Sequence, residues 1–327
     1  MKKEYEKLNH CPVCLSESFK KLTSGFGDHK ELHKFLKLDF FHSNWDHCNS
    51  CDHLFLNPVF SETINSDFYD KKSTYRTFSM GEKSLEQYLN TIDPNIPQVK
   101  KKTGDRREFL KKIRLHLQEN DKKEIKVLDF GAGFGTSQAY LSMDDVSYLG
   151  VEIDTWCLKV AKNYGRNVVE PSKVIVKEFD IVFSWQVFEH IKDPQDGISQ
   201  AISYLKPGGL IGINIPTHKF SKKDNWSFAG LRCLNWTHFH SYTENSMRKL
   251  FMNNNIDFIK FYLKDGDICC IGRKRKSIDE IIKEIAQPNR VNFSTDKEKL
   301  LLFLHIFLAN ILRPIIFIKR LLRKIIL

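Results

Sequence analysis

The apolar positions of this 327-residue chain change period along its length, and the changes mark out its elements. From residue 125 the pattern is one of short, nearly continuous apolar runs, each followed by a stretch with helical spacing. "VLDFGAGFGTSQAYL", residues 127 to 141, reads as a buried strand, a glycine-rich turn and a helix start. "SYLGVEIDTWCLKVAKNYG" repeats the scheme with a second strand ending in an acid, Glu152. "FDIVFSWQVFEHIKDP" supplies another strand, and "LKPGGLIGINIP" a Pro-Gly-Gly turn into a further one. In "IDFIKFYLKDGDICCIGRK", Asp265-Gly266 separates two apolar runs, a strong hairpin signal. A helix is expected to begin near Thr243.

Outside that region the pattern is different. "GDRREFLKKIRLHLQEN" has helical spacing, and its Phe109, Leu110, Ile113, Leu115 and Leu117 are expected to cover the sheet edge ahead of the first strand. The last stretch, residues 300 to 327, is apolar on all sides as far as Leu312 except for His305 and Asn310. Arg313-Pro314 interrupts it, and the remainder is amphipathic, with Lys319, Arg320, Arg323 and Lys324 on one helical face. The apolar part is too short to span a bilayer, which takes about 20 residues, unless the helix is a tilted span; such a tail suits an anionic membrane surface, the other reading being a helix packed on the domain or on a second subunit.

The glycine turn restricts the choice of ligand. A dinucleotide fingerprint needs G-x-G-x-x-G, whereas here Gly131, Gly133 and Gly135 are evenly spaced and Thr136 stands where that fingerprint wants glycine. Asp129 at the strand end would oppose a pyrophosphate but favour a ligand with an amino group and a sulfonium, which points to S-adenosylmethionine. Glu152, one β-α-β step later, is placed to accept hydrogen bonds from ribose hydroxyls, a role common to NAD and S-adenosylmethionine sites.

Taken in order, D-x-G-x-G-x-G, Glu152, "FDIV...VFEHIKDP", "LKPGG" and the closing hairpin resemble the class I S-adenosylmethionine-dependent methyltransferases over residues 125 to 274. The resemblance implies an α/β, doubly wound Rossmann-like sheet with an antiparallel C-terminal hairpin. It assigns Asp129, Gly131, Gly133 and Gly135 to the methionine side of the cofactor, Glu152 to the ribose, and Ser184, Trp185 and Gln186 to the lip facing the methyl group. "VVEPSKVIVKE" departs from the family by lacking the acid that many relatives set against the adenine amino group. Glu189-His190 is read as mainly structural.

Four of the eight cysteines form two C-x-x-C pairs, Cys11/Cys14 and Cys48/Cys51, the spacing of a tetrahedral thiolate site for structural zinc. Residues 15 to 47 between the pairs exceed the usual ribbon loop of roughly 15 to 20 residues. His10, His47 and His53 flank the pairs, each either a replacement ligand or a supporting group. Cys157, Cys233, Cys269 and Cys270 lack such spacing and read as small apolar residues. "HCNSCDHLFLNPVFSETINSDFYD" resembles the N-terminal zinc modules of bacterial glycan and deoxysugar methyltransferases. Four domains are expected: a zinc-ribbon-like module at 1–70, a helical linker at 71–124, the methyltransferase domain at 125–276 and the tail at 277–327.

"THKFSKKDNWSFAGLRCLNWTHFHSYTENSM" is the candidate acceptor wall, with Trp226, Phe228, Trp236, His238 and His240. His238 and His240 alternate and would point the same way on an extended segment, either being able to take a hydroxyl proton, or to pack.

Composition narrows the function. With 51 basic and 40 acidic residues the net charge is +11, and nucleic-acid methylation with a zinc ribbon as recognition module is one reading. Against it, residues 271 to 327 hold 13 basic and 5 acidic residues, so +8 of that charge is in the tail, and "SWQV" is not the N/D-P-P-Y/F lip of base-nitrogen methylases. A non-catalytic scaffold is the third reading, disfavoured by the intact turn. The favoured one is methylation of a sugar or lipid-linked glycan intermediate. The polar opening "MKKEYEKLNH" lacks a secretory signal, so a cytoplasmic location, peripheral on the inner membrane face, is expected.

Overall fold

The structure is a computed structural model that describes residues 5–24, 44–61, 83–93, 105–117, 124–141, 143–217, 238–264 and 266–277. Asp265, Cys233, the aromatic residues Trp226, Phe228 and Trp236, and the tail at 300–327 lie outside the described residues. The chain divides into two compact units, Met1–Arg275 and Lys276–Leu327, and the described elements belong to the first.

The N-terminal part is built from short antiparallel strands. β1 (Tyr5–Glu6) pairs with β5 (Val59–Phe60), while β2 (Phe19–Ser24), β3 (Asn44–Cys48) and β4 (Leu54–Leu56) form consecutive antiparallel ladders. Asn57 ties this region together, its Nδ2 donating to Asp46 Oδ2 at 2.7 Å and to the Leu8 carbonyl at 3.0 Å.

Two helices follow. α1 (Leu85–Ile92) starts in a capping box in which Ser84 and Gln87 each bond the other's backbone N–H, satisfying two donors the first turn would otherwise leave open. α2 (Asp105–Arg114) buries Phe109, Leu110 and Ile113, as its spacing predicts. Leu117 is buried as expected, but Leu115 is 79% exposed. The α-helix ends at Arg114, so helical phase no longer carries Leu115 to the sheet. α2 sits so close to the sheet that a Cβ on Gly212 would lie 2.1 Å from Ile113 Cδ1.

The central sheet is assembled from β6 (Ile125–Phe130), α3 (Gln138–Leu141), β7 (Val146–Val151), α4 (Thr155–Asn163), β8 (Val168–Val169), β9 (Phe179–Trp185), α5 (Pro194–Ser203) and β10 (Leu205–Pro216). The chain then returns to the N-terminal strands. β11 (His240–Ser241) pairs with β4, His240 opposite Phe55 and Ser241 opposite Leu54, giving a four-stranded sheet of order β11-β4-β3-β2. Finally α6 (Glu244–Asn253), capped by Thr243, leads into the antiparallel pair β12 (Ile256–Lys264) and β13 (Asp267–Lys274).

The large sheet has the order β12-β13-β10-β9-β6-β7-β8. Pairs from β10 through β8 are parallel and β13 runs antiparallel to β10, which is the expected doubly wound sheet with its closing hairpin. Strand order reverses between β6 and β9, and a crevice opens outside the strand ends at such a switch point. One apolar core joins Cys11, Val13, Cys48 and Phe55 to Val182, Ile213 and Tyr242. The described residues up to 61 therefore share their core with the central sheet, and β4 pairs with β11 beyond it in sequence.

Candidate active site

Apolar strand β6 delivers the glycine turn to the switch point. Gly131, Gly133 and Gly135 have φ of 76°, 55° and 71°, which side-chain-bearing residues rarely adopt. A Cβ on Gly131 would lie 2.5 Å from Val187 Cγ2, so the turn and the β9 lip approach in a way only glycine permits. The N–H groups of Gly131 and Ala132 donate to the Val151 carbonyl at 2.9 and 3.0 Å, locking the turn to β7.

Glu152 follows β7 and is buried. Its Oε2 accepts from Gly133 N at 2.7 Å, and its Oε1 from Ile153 N and Asp154 N at 2.8 and 2.9 Å. Burial pushes its carboxyl pKa up, and these three N–H groups oppose the rise. Oε2 keeps a lone pair for a ribose hydroxyl. Asp129 is also buried and accepts from the Tyr148 hydroxyl at 2.9 Å. Its pKa is raised by burial, against the pull of the Arg106 guanidinium. Arg106 lies on α2 outside its buried face of Phe109, Leu110 and Ile113, where apolar spacing carries no signal for it. It donates to Ser137 Oγ at 2.6 Å and lies over the Trp185 ring at 5.5 Å, beside the turn.

Across the switch point, β9 ends in Ser184, Trp185 and Gln186. The Ser184 hydroxyl is buried with no hydrogen-bond partner among the described residues, so it can both donate to and accept from a bound group. Trp185 stacks on Phe183 at 6.0 Å. Gln186 has φ of 56°, uncommon for a residue with a side chain, and is held by hydrogen bonds from its Nε2 to Asn214 Oδ1 at 2.8 Å and Asp267 Oδ2 at 2.9 Å. Positive-φ glycines, an acid with spare acceptor capacity and an unpaired hydroxyl at one switch point fit an S-adenosylmethionine-type ligand.

The lip continues into a 3₁₀ turn, Phe188–His190. Glu189 is 1% exposed, and among the described residues neither of its carboxylate oxygens has a hydrogen-bond partner. Burial, with the Asp267 charge adding to it, pushes its pKa up to about 8. His190 Nε2 is 3.9 Å from Glu189 Oε1, and the rings of His190 and His238 meet edge to face at 4.7 Å. His238 and His240 both reach the stretch 190–192, His238 through the His190 ring and His240 through the Ile191 and Lys192 carbonyls. His240 is fully buried, with Nδ1 3.1 Å from His53 Nε2 and Nε2 donating to the Ile191 carbonyl at 2.9 Å. Burial lowers its pKa to about 4, and both ring nitrogens are engaged, whereas His238 lies beside Glu189 and His190.

The four patterned cysteines converge. Cys11 Sγ lies 3.7 Å from Cys51 Sγ and Cys14 Sγ 3.5 Å from Cys48 Sγ, with all four sulfurs within 4.8 Å of one another and none in a disulfide. Tetrahedral zinc with bonds of about 2.3 Å separates sulfurs by roughly 3.8 Å, so the set fits that ion. Each pair is followed by a positive-φ residue, Leu15 at 62° and Asp52 at 61°, making two like knuckles. His10, His47 and His53 are not in this cluster; His47 Nε2 is 2.6 Å from Asp52 Oδ1. Cys157, Cys269 and Cys270 are buried apart from it.

Residues 103–260 match a family profile described as a methyltransferase domain. The ubiquinone biosynthesis O-methyltransferase of Coxiella burnetii is 30% identical over 104 residues, covering 29% of this chain and 44% of that protein. The protein of the same name from Colwellia psychrerythraea is 27% identical over 114 residues, covering 30% and 46%. The chain thus spans less than half the length of these curated relatives. Among solved structures, the CurJ carbon methyltransferase is similar at a TM-score of 0.45 and 12% identity, covering 62% of this chain and 61% of that one. A SAM-dependent methyltransferase from Methanosarcina mazei gives 0.41 at 18% identity, covering 50% and 97%. The sheet order and the glycine turn are those of an α/β Rossmann-like methyltransferase fold, and residues 103–260 carry the match to the methyltransferase-domain profile.

Proposed function

We propose that this protein transfers a methyl group from S-adenosylmethionine to an oxygen of a hydroxyl-bearing acceptor, a sugar or lipid-linked glycan intermediate. The observation that carries the reading is the Glu152 carboxylate bonded to Gly133 N at 2.7 Å, which sets a ribose acceptor against a positive-φ glycine turn. The bound sulfonium supplies a methyl carbon already activated for displacement, so the protein chiefly aligns the acceptor and excludes water. Asp129 and the turn hold the amino-acid end, Glu152 the ribose, and Ser184, Trp185 and Gln186 border the methyl group. Oxygen as the target is supported by the names of the curated relatives, and a glycan acceptor by the resemblance of the N-terminal cysteine module.

Zinc on Cys11, Cys14, Cys48 and Cys51 would be structural, because four thiolates leave no position for a substrate. Among the described residues no helix is long and apolar enough to cross a membrane. Binding of the tail at 300–327 to an anionic membrane surface would bring the enzyme to a lipid-linked acceptor. Liposome flotation of the full chain against a truncation at Ser294 tests that part.

The test of the reaction is transfer of label from methyl-labelled S-adenosylmethionine to a panel of nucleotide sugars, polyprenyl-linked glycans, polyprenyl phenols and RNA. Label in a sugar hydroxyl is expected. Label confined to RNA or phenols, with the sugars unmodified, contradicts the acceptor class.

A further inference from the structure

The segment 238–242 and the turn after β9 are far apart in sequence and are joined by hydrogen bonds to the turn's backbone carbonyls. Phe239 N donates to the Glu189 carbonyl at 2.7 Å, the Tyr242 hydroxyl to the Phe188 carbonyl at 3.2 Å, and His240 Nε2 to the Ile191 carbonyl at 2.9 Å. The result is a convergence of three side chains, Glu189, His190 and His238, whose ligand atoms all lie within 4.8 Å of one another. A carboxylate buried without a donor is costly in a folded protein unless a cation or proton meets it. Among the described residues neither Glu189 oxygen has a hydrogen-bond partner, and the two imidazoles beside it are half-buried.

We propose that Glu189, His190 and His238 form a divalent transition-metal site, separate from the cysteine cluster, whose open positions take the acceptor hydroxyl. One carboxylate and two imidazoles are the donor set of manganese, iron, cobalt or zinc sites that keep coordination positions free, whereas the four thiolates of the cysteine cluster form a closed set. The lip places this site on the acceptor side: Glu189 follows Gln186 by three residues, and Gln186 is itself fixed by its bonds to Asn214 and Asp267. A coordinated hydroxyl is more acidic. It gives its proton to water, its oxygen lone pair forms the O–C bond with the methyl carbon, the C–S bond breaks, and its electron pair converts the sulfonium to a neutral thioether. The acceptor role rests on the methyl-transfer reading above; the metal site does not.

The test is titration of the full chain with Mn2+, followed by electron paramagnetic resonance of the free ion, beside calorimetry with S-adenosylhomocysteine on the same samples. Manganese is poorly suited to thiolates, so the cysteine cluster does not compete for it. Uptake of about one Mn2+ per chain is expected, weakened at least about tenfold in Glu189→Gln and in His238→Ala. Because His238 is half-buried, its variant remains informative where the buried one folds poorly, and unchanged S-adenosylhomocysteine binding certifies the fold. No Mn2+ uptake by a chain that binds S-adenosylhomocysteine, or uptake unaltered in both variants, overturns the site. Mn2+ uptake lost in the variants of a chain that binds no S-adenosylhomocysteine supports the site and sinks the methyl-transfer reading instead.

Discussion

Nε2 of His53 lies 3.1 Å from Nδ1 of His240, and this buried contact ties the cysteine-bearing strands to the segment that leads into α6. With the His240 Nε2–H given to the Ile191 carbonyl, Nδ1 is the acceptor and His53 the donor. The two rings also pack at 5.2 Å, and Tyr242 closes on His53 at 4.8 Å.

His53→Ala therefore strands a buried acceptor as well as leaving a cavity. A loss of about 1 to 3 kcal/mol is expected from the unpaired nitrogen alone, read as a lower urea midpoint at unchanged slope. An unchanged midpoint would mean the contact contributes nothing.

Metal removal should act on the whole unit. Because β4 pairs with β11, and Cys11, Cys48 and Cys51 share a core with Val182 and Ile213, the cysteine region is not an appendage. Elemental analysis should find about one zinc per chain, and Cys11→Ser with Cys48→Ser should abolish it. Scanning calorimetry of that variant should show one cooperative transition for Met1–Arg275 moved to lower temperature. A separate early N-terminal transition, with the main one unmoved, contradicts the shared core.

Much of this was legible in the sequence. Apolar runs ending in Asp129 and Glu152 could only be parallel strands buried on both faces, and evenly spaced Gly131, Gly133 and Gly135 left little choice of turn. What stayed hidden depends on partners distant in sequence. Leu54 and Leu56 carry no mark that their strand pairs with His240 and Ser241. Glu189 reads as an ordinary helix-start acid until Phe239 and Tyr242 are seen to close over its turn. Arg106 lies on the polar side of an amphipathic helix, where periodicity says nothing about a guanidinium reaching the glycine turn.

The glycine turn invites a double substitution. Gly131→Ala sets a Cβ 2.5 Å from Val187 Cγ2 and forces an L-residue to φ of 76°. Loss of at least about 1 to 2 kcal/mol of stability is expected from the backbone alone. Adding Val187→Ala should return the contact part and leave the backbone part, so rescue is partial. Full rescue would show that positive φ is not required at Gly131.

The central claim is that Glu152 and the glycine turn hold S-adenosylmethionine, and isothermal calorimetry of the purified chain with S-adenosylmethionine, S-adenosylhomocysteine and NAD tests it most directly. The first two should bind and NAD should not. Glu152→Ala should weaken binding by about 1.5 to 3 kcal/mol, the value of hydrogen bonds to a charged group. NAD binding without S-adenosylmethionine binding, or a Glu152→Ala variant of undiminished affinity, would contradict the account.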